Sequence, residues 1–277
     1  MPDGIGREPY SSRVDVLTPR SLDEALALKA ERPDAVPIQG GTDLMVAVNF
    51  DRTRPAAMLN LNEVPELRGW SRENGAVRLG SGLTYSEAMA PELTALLPAL
   101  AEAARTVGSP QIRNRGTIGG NLGTASPAGD ALPPLLVEDA EVECASARRG
   151  VRRVPLAEFV TGVKRTALAD DELIAAVVVR PSGAPQTFMK IGPRNAMVIA
   201  VVSLALVAGD ELRASFGSAS PRPVLVTSPR DEANAFPDRV AAAAVPIDDV
   251  RGSAEYRRHA LRVMTRRALE RTLAVAS

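Results

Sequence analysis

Cysteine and histidine are almost absent from this chain, which has one of each, Cys144 and His259, in 277 residues. A lone cysteine excludes an internal disulfide, a cysteine-ligated zinc site and a self-contained iron–sulfur cluster. A transition-metal site would then need clustered carboxylates, and the spacing of the acidic residues indicates no such cluster. We therefore expect no metal site, and any redox chemistry must use an organic cofactor.

Aromatic residues and net charge are also scarce. Aromatics make up 3% of the chain, which argues against a stacking surface for single-stranded nucleic acid. Lys+Arg and Asp+Glu both number 33, so a formal net charge of +0 supplies no long-range attraction to a polyanion. We expect no nucleic-acid partner.

Long apolar runs are missing as well. Residues 1–13 contain Asp3, Arg7 and Glu8 and lack the apolar segment of a signal peptide. No later stretch approaches the roughly eighteen uninterrupted apolar residues typical of a membrane span. The sequence predicts a soluble cytoplasmic protein that reaches a membrane only through a partner.

Local patterns predict mixed helices and strands over the first 180 residues. Ser21 with Glu24 forms a capping box that begins a helix, and Asn74-Gly75 marks a hairpin turn. One long helix is predicted from about Pro91 to Val107. The other predicted elements are strands at 14–17, 35–39, 58–62, 67–72, 76–79, 140–145, 151–154 and 173–179, and short helices at 44–48, from Thr84, and at 155–160.

The second part of the chain begins after the linker candidate 181–185, where we predict the main domain boundary. Residues 187–191, 198–207 and 211–217 are predicted to form an antiparallel meander with Gly209-Asp210 at one turn. Two helices, at about 231–244 and 253–275, follow. Arg257, Arg258, Arg266 and Arg267 of the second helix are predicted to form a solvated face, with packing between domains as the alternative, and His259 is predicted to be a solvated helix residue.

Two glycine pairs are the most informative feature. One lies in Gln39-Gly40-Gly41-Thr42-Asp43-Leu44 and the other in Thr117-Ile118-Gly119-Gly120-Asn121. Glycine permits positive φ and close approach of a ligand, and consecutive amides can form an anion-binding nest. A single pair would be explained as well by a simple turn between strands. Two pairs flanked by hydroxyl and amide side chains, with Asp130 nearby, predict a pyrophosphate site.

Neither glycine segment matches the common nucleotide-binding motifs. Both lack the G-x-G-x-x-G pattern of a Rossmann fold and the G-x-x-x-x-G-K-[ST] pattern of a P-loop. A Rossmann dinucleotide fold and a P-loop nucleotide hydrolase are therefore disfavoured.

Four longer segments carry a family resemblance. The segments QGGTDLMV, SPQIRNRGTIGGNLGTASPAGDALPPLL, FGSASPRPV and PIDDVRGSAEYRRHALRVMTRRALE resemble the FAD-binding medium subunit of the molybdenum hydroxylases. This family includes xanthine dehydrogenase and carbon monoxide dehydrogenase. The similarity runs from about Val14 to Ala274, and TIGGN followed by TASPAGD is its most specific part.

The resemblance implies an α+β architecture with an FAD-binding fold of the vanillyl-alcohol oxidase type. It implies an FAD-binding domain over residues 1–180, with two subdomains that divide near 55–65, and a smaller C-terminal α+β domain over residues 186–277. The linker candidate at 181–185 agrees with that layout.

The resemblance also implies which residues bind FAD. The first glycine segment would wrap the pyrophosphate, the second would form the facing wall, and Asp130 would accept hydrogen bonds from cofactor hydroxyls. Catalytic residues stay unknown. The implied cofactor-binding residues are Ile38, Gln39, Gly40, Gly41, Thr42, Asp43, Leu44, Val107, Thr117, Gly119, Gly120, Asn121, Thr124, Asp130, Ile174 and Lys190.

Lys190 has some support from composition, because the only lysines are Lys29, Lys164 and Lys190 while every other basic residue is arginine. A compact point charge in so arginine-biased a chain can serve a purpose, although a surface lysine explains it equally well. Gly129 departs from the family pattern, in which serine or alanine often precedes the aspartate. One side-chain hydrogen bond to the cofactor is therefore expected to be missing.

The resemblance implies an electron-transfer function within a complex. A molybdopterin-containing large subunit would oxidise the substrate, a small subunit with two-iron two-sulfur clusters would carry the electrons, and FAD in this chain would pass them to an acceptor. Two alternatives stay open: a stand-alone FAD-dependent oxidoreductase of the same fold, and a cofactor-free scaffolding subunit. The sequence identifies neither the substrate nor the acceptor.

Overall fold

A computed structural model describes residues 14–274, so the expectations for residues 1–13 lie outside the described part of the chain. A small parallel sheet comes first, with strand order β1-β3-β2. Its strands are β1 (Asp15–Leu17), β2 (Val36–Ile38) and β3 (Ala57–Asn60), and the intervening helices are α1 (Leu22–Glu31) and α2 (Leu44–Asn49).

The predicted start of α1 is confirmed. The Oγ of Ser21 accepts a hydrogen bond from the backbone N–H of Glu24 at 3.2 Å, which satisfies a donor that the helix itself leaves unpaired. The carboxylate of Glu24 accepts from the backbone N–H of Arg20 at 2.7 Å, one residue before the partner expected in a capping box. The cap is therefore present in a shifted form.

A five-stranded antiparallel sheet follows, with strand order β4-β5-β10-β6-β7. The hairpin at Asn74-Gly75 is confirmed, because Glu73 and Ala76 pair directly across it. The central strand β10 is buried at all seven positions, which accounts for its apolar, β-branched sequence. The strands are β4 (Trp70–Glu73), β5 (Ala76–Gly80), β6 (Glu141–Ser146), β7 (Gly150–Pro155) and β10 (Leu173–Val179).

Short helices pack between these strands. The single helix expected from Pro91 to Val107 is wrong, because the structure has α3 (Pro91–Leu96) and α4 (Pro98–Thr106). Pro98 has no N–H to continue α3, and its fixed φ suits the first position of a new helix. The other short elements here are α5 (Pro110–Arg113), α6 (Ile118–Thr124), α7 (Leu132–Leu136), α8 (Leu156–Phe159), and the small strand pair β8 (Val160–Gly162) and β9 (Arg165–Thr166). Single 3-10 turns are formed by Leu61–Glu63, Pro65–Leu67 and Glu87–Met89, and the last of them stands where a short helix was predicted from Thr84.

A second antiparallel sheet begins after residues 181–185. Its strand order is β11-β12-β13-β14, one strand more than the predicted meander. The missed strand is the last one, which pairs with β13 from Val224 to Pro229, and the prolines just before it masked its apolar run. The strands are β11 (Gln186–Ile191), β12 (Val202–Ala208), β13 (Glu211–Gly217) and β14 (Val224–Pro229), and the closing helices are α9 (Phe236–Ala243) and α10 (Ala254–Ala274).

The second sheet is covered on both faces. Leu204 and Phe216 on one face join a core with Leu261 and Met264 of α10. Phe188 on the opposite face joins a separate cluster. Its other members are Ala99 and Ala103 of α4, Val137 just after α7, and Ala205 and Val207 of β12. The predicted boundary near 181–185 falls between two sheets, whereas the predicted division near 55–65 includes β3, the central strand of the first sheet. Both stay predictions.

The solvated face predicted for α10 is wrong at Arg257. Arg257 is 0% exposed because it lies at helical spacing from the buried residues Leu261, Met264 and Ala268. The prediction is confirmed for the other members of the set, which are exposed: Arg258, His259, Arg266 and Arg267. Among residues 14–274, no helix combines the length and apolar character needed to cross a bilayer.

Candidate functional site

A cleft of about 690 Å³ lies between the parallel sheet, α6 and the first residues of β10. Its volume is within the roughly 300–1,000 Å³ usual for small-molecule and cofactor sites. All the cofactor-binding residues implied by the resemblance line this cleft except Lys190, which contacts one of them: Ile38, Gln39, Gly40, Gly41, Thr42, Asp43, Leu44, Val107, Thr117, Gly119, Gly120, Asn121, Thr124, Asp130 and Ile174.

The first glycine segment forms one wall, between β2 and α2. Gly41 has a φ of +71°, a conformation that favours glycine, and a Cβ on Gly40 would lie 2.1 Å from the carbonyl oxygen of Arg115. Only glycine therefore allows this turn to contact the segment that precedes α6. The backbone N–H groups of the turn have no acceptor within residues 14–274, at Gly41, Thr42, Asp43 and Leu44.

The second glycine segment is a helix start rather than the open turn that the sequence predicted. Thr117 caps α6, and its Oγ accepts from the N–H of Gly120 at 3.0 Å. The N–H of Ile118 donates to Leu83 and that of Gly119 donates to Ser81. The amides of Ile118, Gly119 and Gly120 therefore already have partners, whereas those of Gly41, Thr42, Asp43 and Leu44 do not.

Glycine is nevertheless required in α6 for close packing. A Cβ on Gly119 would lie 2.5 Å from the Cβ of Ser81, whereas a Cβ on Gly120 would meet only the capping oxygen of Thr117, at 2.9 Å. Gly120 is exposed and lines the cleft, and Gly123 one turn later does the same. The two glycines leave a flat backbone surface on the cleft side of α6 that side chains would fill.

Three buried oxygens in the cleft have no hydrogen-bond partner within the described chain. They are the Oδ1 atoms of Asn121 and Asp130 and the Oγ of Ser81. A buried polar atom without a partner costs about 1–3 kcal/mol, so native structures rarely keep one without a ligand or water. All three belong to residues that line the cleft, which indicates that a polar molecule or water completes the site.

Asp130 is held by a cation from the second sheet. The Nζ of Lys190 donates to the Oδ2 of Asp130 at 2.5 Å and to the carbonyl oxygen of Thr106 at 3.3 Å. Burial raises the pKa of the Asp130 carboxyl above its ordinary value of 3.8, and the Lys190 ammonium opposes that rise in pKa. The other carboxylate oxygen, Oδ1, is buried and has no partner within the described chain.

Part of the cleft lining is apolar. Its apolar side chains include Val107, Leu168 and Ile174, with the loop residues Met197 and Ile199. Such a surface suits the face of a flat ring, which forms no ordinary hydrogen bonds. Aliphatic side chains take this part because the chain has few aromatic residues to stack on a ring.

Several lining residues were not predicted from the sequence. Tyr85 is 4% exposed, and burial and then the charge of Asp130 raise the pKa of its phenol. Glu172 is also buried, and the side-chain hydrogen bond from Arg152 lowers the pKa of its carboxyl. Ser81 lies in Gly80-Ser81-Gly82, a third glycine-rich segment whose composition could have indicated it.

The cleft thus combines free backbone amides, unpaired polar oxygens and apolar side chains. Amides suit a diphosphate, carboxylate and amide oxygens suit sugar-type hydroxyls, and the apolar side chains suit a fused ring. The residues present fit an FAD molecule.

Known proteins support the same conclusion. Residues 12–181 match the family described as the FAD binding domain in molybdopterin dehydrogenase. The chain is 32% identical to a putative xanthine dehydrogenase FAD-binding subunit of Escherichia coli K12, over 92% of this chain and 94% of that protein. It is 28% identical to the carbon monoxide dehydrogenase medium chain of Hydrogenophaga pseudoflava, over 93% and 96%.

A solved structure agrees in fold. A chain of carbon monoxide dehydrogenase from Hydrogenophaga pseudoflava superposes with a TM-score of 0.87 at 27% identity, covering 95% of this chain and 98% of that one. Fold, cleft and relatives define an α+β flavoprotein that is part of an oxidoreductase. The chain belongs to the family of FAD-binding domains of the molybdopterin dehydrogenases, and it is an FAD-binding subunit of the xanthine and carbon monoxide dehydrogenase type.

Proposed function

We propose that this chain is the electron-transfer subunit of a heterotrimeric molybdenum hydroxylase and that the described cleft holds its FAD. The observation that carries the proposal is that unpaired oxygens of Ser81, Asn121 and Asp130 and the free amides of the first glycine segment belong to residues of one cleft. When bound, FAD supplies the ability to accept electrons from one carrier and deliver them to another.

The protein's own residues bind and orient that cofactor. We propose that the amides of Gly41–Leu44 donate to its diphosphate and that the Oδ1 of Asp130 accepts from one of its hydroxyls. Val107 and Ile174 contribute the apolar surface for the flavin ring. Lys190 keeps the Asp130 carboxylate in place and supplies a positive charge beside it.

The proposed partners are a large subunit that contains molybdopterin and a small subunit that contains two-iron two-sulfur clusters. Support comes from the relatives, several of which are named as a subunit or medium chain of a dehydrogenase. The similarity covers nearly the whole length of the xanthine and carbon monoxide dehydrogenase relatives. A cytoplasmic location is part of the same proposal.

Purification from the native cells tests the function. The tagged full-length chain is expected to co-elute with two other polypeptides, one that carries molybdopterin and one that carries iron–sulfur clusters, and to release FAD on denaturation. Elution of a yellow protein alone would favour a stand-alone flavoprotein. A colourless protein that takes up no added FAD would favour a scaffolding subunit.

A further inference from the structure

The buried Arg257 lies on α10, away from the residues that line the cleft, and the proposed function gives it no task. An arginine is rarely fully buried unless each of its donors has a partner. Here the guanidinium donates to the backbone carbonyl oxygens of Val201 and Ser218 and to the carboxylate of Asp249, while its Nε has no partner within residues 14–274. Burying this guanidinium costs desolvation free energy, so its position needs an explanation.

Arg257 is one member of a cluster that holds one end of the second sheet. The carboxylate of Asp249 accepts from both Arg251 and Arg257 at 2.6 Å, and Arg251 also donates to the carbonyl oxygen of Ala200 at 3.2 Å. The side-chain hydrogen bond from Arg251 lowers the pKa of Asp249 to about 2, so the carboxylate stays ionised at neutral pH. Backbone at Ala200, Val201 and Ser218 is therefore fixed from one point.

The same end of the sheet contacts the cleft. Lys190, Ser203 and Gly217 are direct neighbours across β11, β12 and β13. From this row the side chain of Lys190 contacts Asp130. Gly217 lies close to the turn at residues 127–130, so that an added Cβ would be 3.3 Å from the carbonyl oxygen of Pro127.

Ser218, the next residue, completes the contact. Its backbone N–H donates to the carbonyl oxygen of Pro127 at 2.7 Å, although its φ of +62° is unfavourable for a residue other than glycine. Arg257 binds the carbonyl oxygen of this strained residue. Pro127 in turn precedes the lining residues Ala128, Gly129 and Asp130.

We propose that Arg257, together with Asp249 and Arg251, is a positioning residue of the FAD site. It acts from the side of the second sheet that carries α10, by fixing the strand ends from which Lys190 and Ser218 hold the turn at residues 127–130. The loop residues Met197–Ile199, which line the cleft just before Ala200, are fixed at the same point. This inference rests on the proposed placement of FAD in the cleft.

FAD affinity of full-length variants tests the inference. Arg257→Met keeps the aliphatic length and removes the donors, and Arg258→Met, one residue along the same helix and exposed, is the matched control. The FAD dissociation constant is expected to rise about tenfold to a hundredfold in Arg257→Met and to stay unchanged in Arg258→Met. Arg257→Lys, which keeps a cation, is expected to recover part of the affinity.

A double-mutant cycle with Lys190→Met separates positioning from general stability. If Arg257 acts through the sheet end, the two changes in FAD affinity are coupled and the double variant loses less than the product of the single losses. Lower thermal stability of the apoprotein with unchanged FAD affinity would overturn the inference. Should Arg257→Met not fold, Asp249→Asn makes the same test with a milder change, and an unchanged FAD affinity there would contradict it.

The two proposals fail differently. If Lys190→Met and Asp130→Ala leave FAD affinity unchanged, the placement of FAD is wrong. If those variants weaken binding while the variants of Arg257 and Asp249 do not, only the positioning role is wrong.

Discussion

At the scale of single residues, the glycine segment of the cleft was predictable because the need for glycine depends on the conformation of a few neighbouring residues. Gly40 and Gly41 lie where a turn needs contact or positive φ, and these needs follow from the chain itself. Tyr85 was missed because it joins the cleft only through packing against Gly116, which no local pattern records. Ser81 was missed although its glycine-rich segment, Gly80-Ser81-Gly82, could have indicated it. Arg257 was assigned to solvent because charge outweighed its helical spacing from Leu261.

Asp130→Ala tests the residue-scale account of the cofactor contact. FAD binding should weaken by about 1–3 kcal/mol, because the cofactor loses a charged hydrogen-bond acceptor. Titration of the apoprotein with FAD, followed by flavin fluorescence, measures the change. Asp139→Ala is the control, since this neighbouring acid is exposed and pairs with Arg213 away from the cleft. Equal affinities for Asp130→Ala and the unmodified protein would contradict the contact.

At the scale of elements, the strands of the two large sheets were predicted except the last, although β4 and β12 begin later than predicted. The start of α1 was predicted, and the break at Pro98 was not. The error at Pro98 arose because a proline inside an apolar helical pattern can either be tolerated or begin a new helix, and packing decides between them. The second glycine pair was taken for a turn because capping by Thr117 depends on the backbone path that follows. The strand at Val224–Pro229 needed its partner β13 to be recognised.

The pair that joins β11 to the cleft has a testable pH dependence. Lys190→Met leaves Asp130 buried without its cation, so the folded-state pKa of Asp130 should rise further above the ordinary value of 3.8. The folded protein then binds this proton more tightly than the unfolded chain. Stability that is present below the unfolded pKa is therefore lost as the pH rises through the folded pKa.

Denaturant unfolding between about pH 4 and pH 8 measures this effect against the double variant Lys190→Met/Asp130→Asn, whose side chain cannot ionise. The single variant should lose stability relative to the double variant as the pH rises. A constant difference over this range would show that Asp130 does not titrate there and would contradict the raised pKa.

At the scale of the whole molecule, the second sheet packs between its own helices and the first part of the chain. The α+β class was predictable from the long segments that resemble the family. How the two parts join was not, because the joining contacts connect residues far apart in sequence. Glu138, for example, accepts from Ser182 and Gln186 across this joint, and burial raises the pKa of its carboxyl.

Glu102→Ala tests this joint. The Glu102 carboxylate on α4 accepts from the Oγ of Thr187 at 2.9 Å and from the N–H of Phe188 at 2.7 Å, and it pairs with Arg271 of α10. Its loss should lower the free energy of unfolding by about 1.5–3 kcal/mol, because charged hydrogen bonds are lost and two partly buried donors are left unpaired. Glu92→Ala, an exposed change on α3, should have little effect. Equal unfolding curves for the two variants would contradict the joint.

The most direct test of the central claim is a crystal structure of the full chain with bound FAD. The account predicts the diphosphate within hydrogen-bonding distance of the Gly41–Leu44 amides, a cofactor hydroxyl at the Oδ1 of Asp130, and the flavin ring against Ile174. FAD bound elsewhere, or a cleft closed by side chains in the loaded protein, would contradict it.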